Sequence, residues 1–122
     1  MFHKNIADVP SFVAGDDTVL KEVLHPRNEA LDLPYSLAHA HLEPGKSSYP
    51  HVLTGSDELY VFLEGTGEAL LDGEAKKVRS GDLILIPAGC EQYVRNTGKI
   101  PLVFYCIVSP PWSKEQELVR TD

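Results

Sequence analysis

Apolar residues in this chain fall in short runs and not along a helical stripe. Residues 18–24, 35–42, 59–63, 68–71, 83–86 and 101–108 are each rich in β-branched, aromatic and aliphatic side chains. Turn signals bracket them: Glu43-Pro44-Gly45, Gly65-Thr66-Gly67, Asp72-Gly73, Ser80-Gly81-Asp82, Pro87-Ala88-Gly89 and Asn96-Thr97-Gly98. Many short strands at this spacing predict an all-β sandwich or barrel. Asp72-Gly73 joins 68–71 to 74–79 as a two-residue hairpin, since such a turn needs residues that tolerate positive φ. The last run, 101–108, is apolar on both faces, as expected if one face lines a cavity and the other is also covered.

Helix signals are confined to the C-terminus. Ser113, with Gln116 three residues on, reads as a capping box opening residues 114–120. Glu115 and Glu117 would add favourable charge to its first turn. A short helix or turn there would dock over one end of the fold with Trp112 as its anchor. Residues 1–17 are weakly patterned and carry no strand prediction. The expected organisation is a single domain: an N-terminal strand or arm over 1–30, a barrel over 31–110 and a tail over 111–122.

The 122 residues leave no room for a second core. Eleven Lys and Arg face 18 Asp and Glu, a formal net charge of −7. Nucleic acids and anionic membranes both want a basic footprint, so neither is an expected partner. Cys90 and Cys106 form no CxxC pair, which excludes a cysteine-rich zinc cluster. No leader-like n-region and h-region opens the chain, and residues 102–108 are too short a run for a membrane span. The expectation is a reduced, cytoplasmic protein.

Three nucleotide and nucleophile motifs fail. Gly45-Lys46-Ser47 imitates the end of a phosphate loop, but Ala40 stands where its first glycine belongs. Gly65-Thr66-Gly67 lacks the third glycine of a dinucleotide fingerprint, and no GxSxG elbow occurs. One constellation survives. Gly45, His51, Leu53, Glu58 and Gly65 are followed, after fifteen residues, by Gly81, Pro87, Gly89, Gln92 and Asn96. In strands, residues two apart share a face, so His51 points with Leu53 and Glu58 with Tyr60 and Phe62.

This spacing resembles the two signature motifs of the cupin superfamily, G-x5-H-x-H-x3,4-E-x6-G and G-x5-P-x-G-x2-H-x3-N, at eight of their ten fixed positions. The resemblance implies a double-stranded β-helix, a jelly-roll barrel whose interior receives the signature side chains. It also implies that His51, Glu58 and Gln92 hold a divalent transition metal (Mn, Fe, Ni or Zn), with Leu53, Tyr60, Phe62, Phe104 and Cys106 lining the pocket. Two imidazoles of the usual set are replaced here. Leu53 cannot ligate, and Gln92 offers only an amide oxygen, which is short of a two-histidine, one-carboxylate set. A small group of cupins is similar in carrying H-x-L, a matching Gln and a closing Pro-Pro-Trp like Pro110-Pro111-Trp112.

The site reading therefore stays open between two ligand-handling functions and a third, a non-catalytic scaffold with a vestigial pocket. In the first, a bound metal polarises a small polar metabolite in an oxygenase- or isomerase-type enzyme, with Glu58 as catalytic acid or base. In the second, a metal-free barrel binds a sugar or organic acid without turnover. A homodimer is expected from the doubly apolar last strand and from the way cupins commonly pair through their sheets. His39 and His41, two apart on one strand, have the spacing of a shared metal site, but the resemblance implies that Leu42 faces the barrel and so that the pair points outward; His3 and His25 lie outside any pattern.

Overall fold

The computed structural model describes residues 1–121. Eleven strands follow one another in the chain. They are β1 (Phe12–Val13), β2 (Val19–Leu24), β3 (Ser36–Leu42), β4 (His51–Leu53), β5 (Asp57–Glu64), β6 (Thr66–Leu71), β7 (Glu74–Arg79), β8 (Leu83–Ile86), β9 (Glu91–Asn96), β10 (Leu102–Ser109) and β11 (Glu117–Val119). They form two antiparallel sheets, ordered β1-β2-β3-β10-β5-β8 and β11-β4-β9-β6-β7. Helix is limited to one short α-turn, Pro26–Glu29, and two 3-10 turns, Ile6–Asp8 and Lys114–Gln116. The all-β fold expected from the run pattern, and the jelly roll that the cupin resemblance implied, are the observed architecture.

Between the sheets the inward positions alternate strictly. Tyr60 and Phe62 of β5 and Phe104 and Cys106 of β10 face one another across the register Phe104↔Phe62 and Cys106↔Tyr60. Their rings pack edge-on or tilted, with Tyr60–Phe104 and Phe62–Phe104 centroids both 5.2 Å apart. Ala40, Leu42, Ala69, Val78, Ile86, Val94 and Leu102 complete a core buried almost entirely. The hairpin at Asp72-Gly73 forms as expected, with φ of 47° and 84° and Leu71 paired to Glu74.

Two strands escape the run pattern. β4 and β9 carry polar residues inward (His51 on one, Gln92 and Asn96 on the other), which conceals the usual apolar alternation. Asn96 is a structural buckle: its amide donates to Leu42 O (2.9 Å) and Ile100 O (2.8 Å) and its oxygen accepts from Gly98 N.

Both ends of the chain join the sheets. β2 lies inside the six-stranded sheet against β3, the strand alternative expected for residues 1–30. The C-terminal capping box does not form. Ser113 makes no side-chain cap, and only a 3-10 turn precedes β11, which adds to the second sheet beside β4. Gln116 is diverted from a capping role: its amide donates to Ser56 Oγ (2.9 Å) and its oxygen accepts from Gly55 N (3.0 Å). Tertiary hydrogen bonds thus outcompete a helix too short to nucleate by itself.

Gly65 shows how tightly the corners are set. It sits at φ 88°, and an added Cβ would lie 2.4 Å from Pro101 O; Gly89, at φ 87°, has open space instead. Gly65→Ala is expected to cost well over about 2 kcal/mol and Gly89→Ala only about 1 kcal/mol in urea unfolding, since the second carries backbone strain without a clash. Equal losses at the two positions would show that the close approach contributes nothing.

Candidate functional site

A largely enclosed cavity of about 120 Å³ opens between the sheets at one end of the barrel. Of the residues expected to line it, Tyr60, Phe104 and Cys106 do, together with His51 and Glu58. Leu53 and Phe62 do not. Both are buried, Phe62 in the aromatic core and Leu53 with 2% exposure, and neither contributes wall. Gln92 is also absent from the wall despite pairing with His51 across β4 and β9.

The hydrogen bonds around Gln92 explain its withdrawal. The Tyr60 hydroxyl donates to Gln92 Oε1 in a short contact that is fully buried. That bond turns the amide nitrogen toward Glu58, where it favours the ionised carboxylate. The amide oxygen assigned to a metal is therefore already engaged, and an N–H group faces the carboxylate in its place.

His51 lies between two carboxylates. Its Nδ1 is 3.1 Å from Tyr49 O and 3.5 Å from Asp16 Oδ2. A carbonyl can only accept, so Nδ1 carries the proton, and in the neutral ring Nε2 presents its lone pair. Nε2 stands 4.0 Å from Glu58 Oε1. Glu58 is 6% exposed, and its Oε1 has no hydrogen-bond partner. Burial raises its pKa to about 7, with the charges of Asp16 and Glu117 adding to the rise and His51 and Gln92 opposing it. Burial, then the Glu58 charge, also pushes up the Cys106 thiol and the Tyr60 phenol, so both stay protonated at neutral pH. Cys106 and Cys90 are free thiols.

Three wall residues had no motif to announce them. Asp16 comes from the unpatterned N-terminal segment, where its Oδ1 caps Thr18 N at 3.1 Å. Trp112 and Glu117 come from the tail, where the indole Nε1 donates to Glu117 Oε2 at 2.8 Å. His25 secures this end: its Nδ1 accepts from Arg27 N (3.1 Å), so Nε2 donates to Trp112 O (2.7 Å). Only the Pro110-Pro111-Trp112 triplet offered a sequence signal for the tail's approach. His39 and His41 lie on the outer sheet face, against Tyr105 and Glu43 respectively, away from the cavity.

The donor set does not fit a resident metal as it stands. His51 Nε2 and Glu58 Oε1 supply two donors, and among the described residues no group of three or more His, Cys, Asp or Glu converges to hold an ion. Gln92, the expected third ligand, commits one of its oxygen's two lone pairs to Tyr60 and does not line the cavity.

The buried carboxyl has a measurable consequence for stability. Between about pH 4.5 and 7 the folded chain retains a proton on Glu58 that the unfolded chain has lost. Stability therefore falls as pH rises through this window, by up to about 3 kcal/mol, and stays lower above it. Glu58→Gln is expected to match the parent near pH 4 and to exceed it at pH 8. Parallel stability curves for the two proteins would refute this account of Glu58.

Comparison with known proteins agrees with the barrel. The Cupin domain family, Cupin_2, matches residues 38–108. An uncharacterised protein of Methanocaldococcus jannaschii is 35% identical over 107 residues, covering 88% of this chain and 85% of its own. Among solved structures, a predicted oxalate decarboxylase of Thermotoga maritima superposes with TM-score 0.79 at 19% identity, covering 89% of this chain and 99% of that one. Streptomyces Pac13, a nucleoside dehydratase solved with uridine, superposes with TM-score 0.80 at 15% identity, covering 99% and 92%. The chain belongs to the cupin family.

Proposed function

We propose that the barrel binds a small polar metabolite and moves a proton on it between Glu58 and His51, without a resident metal. The observation that carries this reading is the unpartnered Glu58 Oε1, 4.0 Å from the His51 Nε2 lone pair at the wall of a nearly closed cavity. A carboxyl with a pKa near 7 can give or take a proton at neutral pH, and the adjacent imidazole can do the reverse. Tyr60, Phe104 and Cys106 shape the wall. The reaction class is isomerisation or dehydration, which needs one acid and one base and no redox partner.

The cavity's size and charge narrow the ligand. A cavity of roughly 150 Å³ takes a benzene ring, so 120 Å³ admits about as many non-hydrogen atoms. A whole monosaccharide or a nucleoside such as uridine would have to leave most of itself outside. Asp16, Glu22, Glu58 and Glu117 line the cavity and no Lys or Arg does, so an organic acid such as oxalate meets only like charge.

The metal reading makes a distinct demand: Gln92 must turn toward the cavity an oxygen that the Tyr60 hydroxyl now orients. Tyr60→Phe frees that oxygen. On the proton-transfer reading, metal analysis of purified untagged protein finds substoichiometric transition metal in both the parent and Tyr60→Phe. Deuterium exchange next to the carbonyl of a small ketone such as dihydroxyacetone, followed by NMR, is expected to slow by about 10²–10⁴-fold in Glu58→Gln. Stoichiometric metal that Tyr60→Phe increases and His51→Ala removes would establish the metal reading instead.

We also propose that the chain pairs with a second copy through the outer face of the six-stranded sheet. Leu83 and Leu85 of β8 are 64% and 66% exposed and stand beside Val61 and Leu59, which neighbour Tyr105 and Ile107. This row carries no carboxylate in a chain of net charge −7, so two copies can bring these faces together while their acids stay at the rim. Sedimentation equilibrium should give twice 13.5 kDa for the parent. Leu83→Lys with Leu85→Lys should give the monomer with unchanged circular dichroism, and a monomeric parent would end the proposal.

A further inference from the structure

The cavity wall has hydrogen-bond donors, but nearly all are already engaged with protein acceptors. The Tyr60 hydroxyl donates to Gln92, the Trp112 indole to Glu117 and the Ser48 hydroxyl to Val94 O. His51 Nδ1–H points at Tyr49 O, away from its lone pair. What remains turned to a ligand is mainly a set of acceptors: Glu58 Oε1, His51 Nε2 and the carboxylates of Asp16 and Glu117, beside the Thr18 and Ser36 hydroxyls, which can donate or accept. None of the four lining carboxylates pairs with a Lys or Arg among the described residues.

Such a wall asks its ligand for donors and positive charge. An ammonium group has three N–H donors and no acceptor, the complement of this wall. One nitrogen placed about 2.9 Å from each acceptor can bridge Glu58 Oε1 and His51 Nε2, which lie 4.0 Å apart. The rest of the lining favours the same class. Phe12, Tyr60, Phe104 and Trp112 contribute aromatic surface, which attracts an organic cation and accommodates a short alkyl chain. A bare divalent ion would gain the charge but would lack a third convergent ligand and waste the apolar wall.

We propose that this cavity recognises a small organic ammonium ion, a primary amine of about five or six non-hydrogen atoms or the amine-bearing end of a larger molecule. The inference rests on reading the cavity as the ligand site and adds the chemistry of the ligand. It is tested on the full chain with four probes: n-butylammonium, 1-butanol, butyrate and Mn²⁺. Binding is followed by amide NMR shifts at Ala38, His51 and Phe104, and affinity by titration.

Butylammonium is expected to shift these resonances and to bind about tenfold or more tighter than 1-butanol, with butyrate inert. Glu58→Gln is expected to reduce the butylammonium affinity by about tenfold or more while leaving 1-butanol unchanged. Asp16→Asn, at the more accessible wall, provides a second charge-removing variant with a smaller loss. Equal binding of amine and alcohol, insensitive to Glu58→Gln, would overturn the ammonium assignment and leave the cavity as a ligand site. Preferred binding of butyrate, or stoichiometric displacement of the amine by Mn²⁺, would also overturn it. Silence from all four probes at these resonances would overturn both the assignment and the reading of the cavity beneath it.

Discussion

A carboxylate cannot be taken out of water without compensation, and most of the site's chemistry follows from how Glu58 is placed under that constraint. Strand β5 sends alternate side chains inward, so Glu58 enters the barrel for the same geometric reason as Tyr60 and Phe62. Aromatic packing behind it leaves no room for bulk solvent. One oxygen faces the Gln92 amide side and the other meets no protein donor. The protein meets this cost with a proton near neutral pH, which converts a buried liability into an acid. The price is stability at high pH, and it is incurred at the residue that faces the ligand space.

The Tyr60–Gln92 bond decides how this acid can be used. A histidine at position 92 could present a ring nitrogen to an ion beside His51. Glutamine satisfies the phenol with its oxygen and turns its amide toward Glu58. The same exchange that weakens a metal set thus pins Tyr60 and orders the wall behind Glu58. Leu53 completes the change, since an apolar side chain fills the position of the second imidazole and is buried at 2% exposure. The two departures from the motif act together, leaving His51 and Glu58 as the motif residues that reach the cavity wall.

Sequence reasoning reached the barrel because its signals are local and physical: turn glycines, period-two runs and a type of hairpin that Asp72-Gly73 favours. Strand parity grouped Glu58 with Tyr60, and the resemblance to cupins added His51, Phe104 and Cys106 to the same pocket. Sequence reasoning lost ground where inward positions were polar, as in β9, or where a side chain's direction depends on a long-range partner. Nothing near Gln92 in sequence indicates that Tyr60, 32 positions away, holds its oxygen. Leu53 and Phe62 point inward as expected, yet depth along the barrel, which parity does not specify, puts them outside the cavity wall. The helix expected at 114–120 failed for a related reason: Gln116 has a better partner in Ser56 than in the local backbone.

The two chain ends are part of the site in a way that a motif centred on residues 45–96 cannot express. The N-terminal segment supplies Asp16 to the His51 ring, and the tail supplies Trp112 and Glu117 to the cavity wall. His25 ties one to the other through Trp112 O, and β11 adds to β4, the strand that carries His51. The barrel therefore sets where Glu58 and His51 stand, while the termini add much of the charge and aromatic surface of the cavity around them. Cupins that share the barrel can differ in ligand without altering the strands. In this chain the ends contribute acids and aromatic surface to the cavity while also pairing into both sheets, so the charge of the wall is set by segments outside the motif.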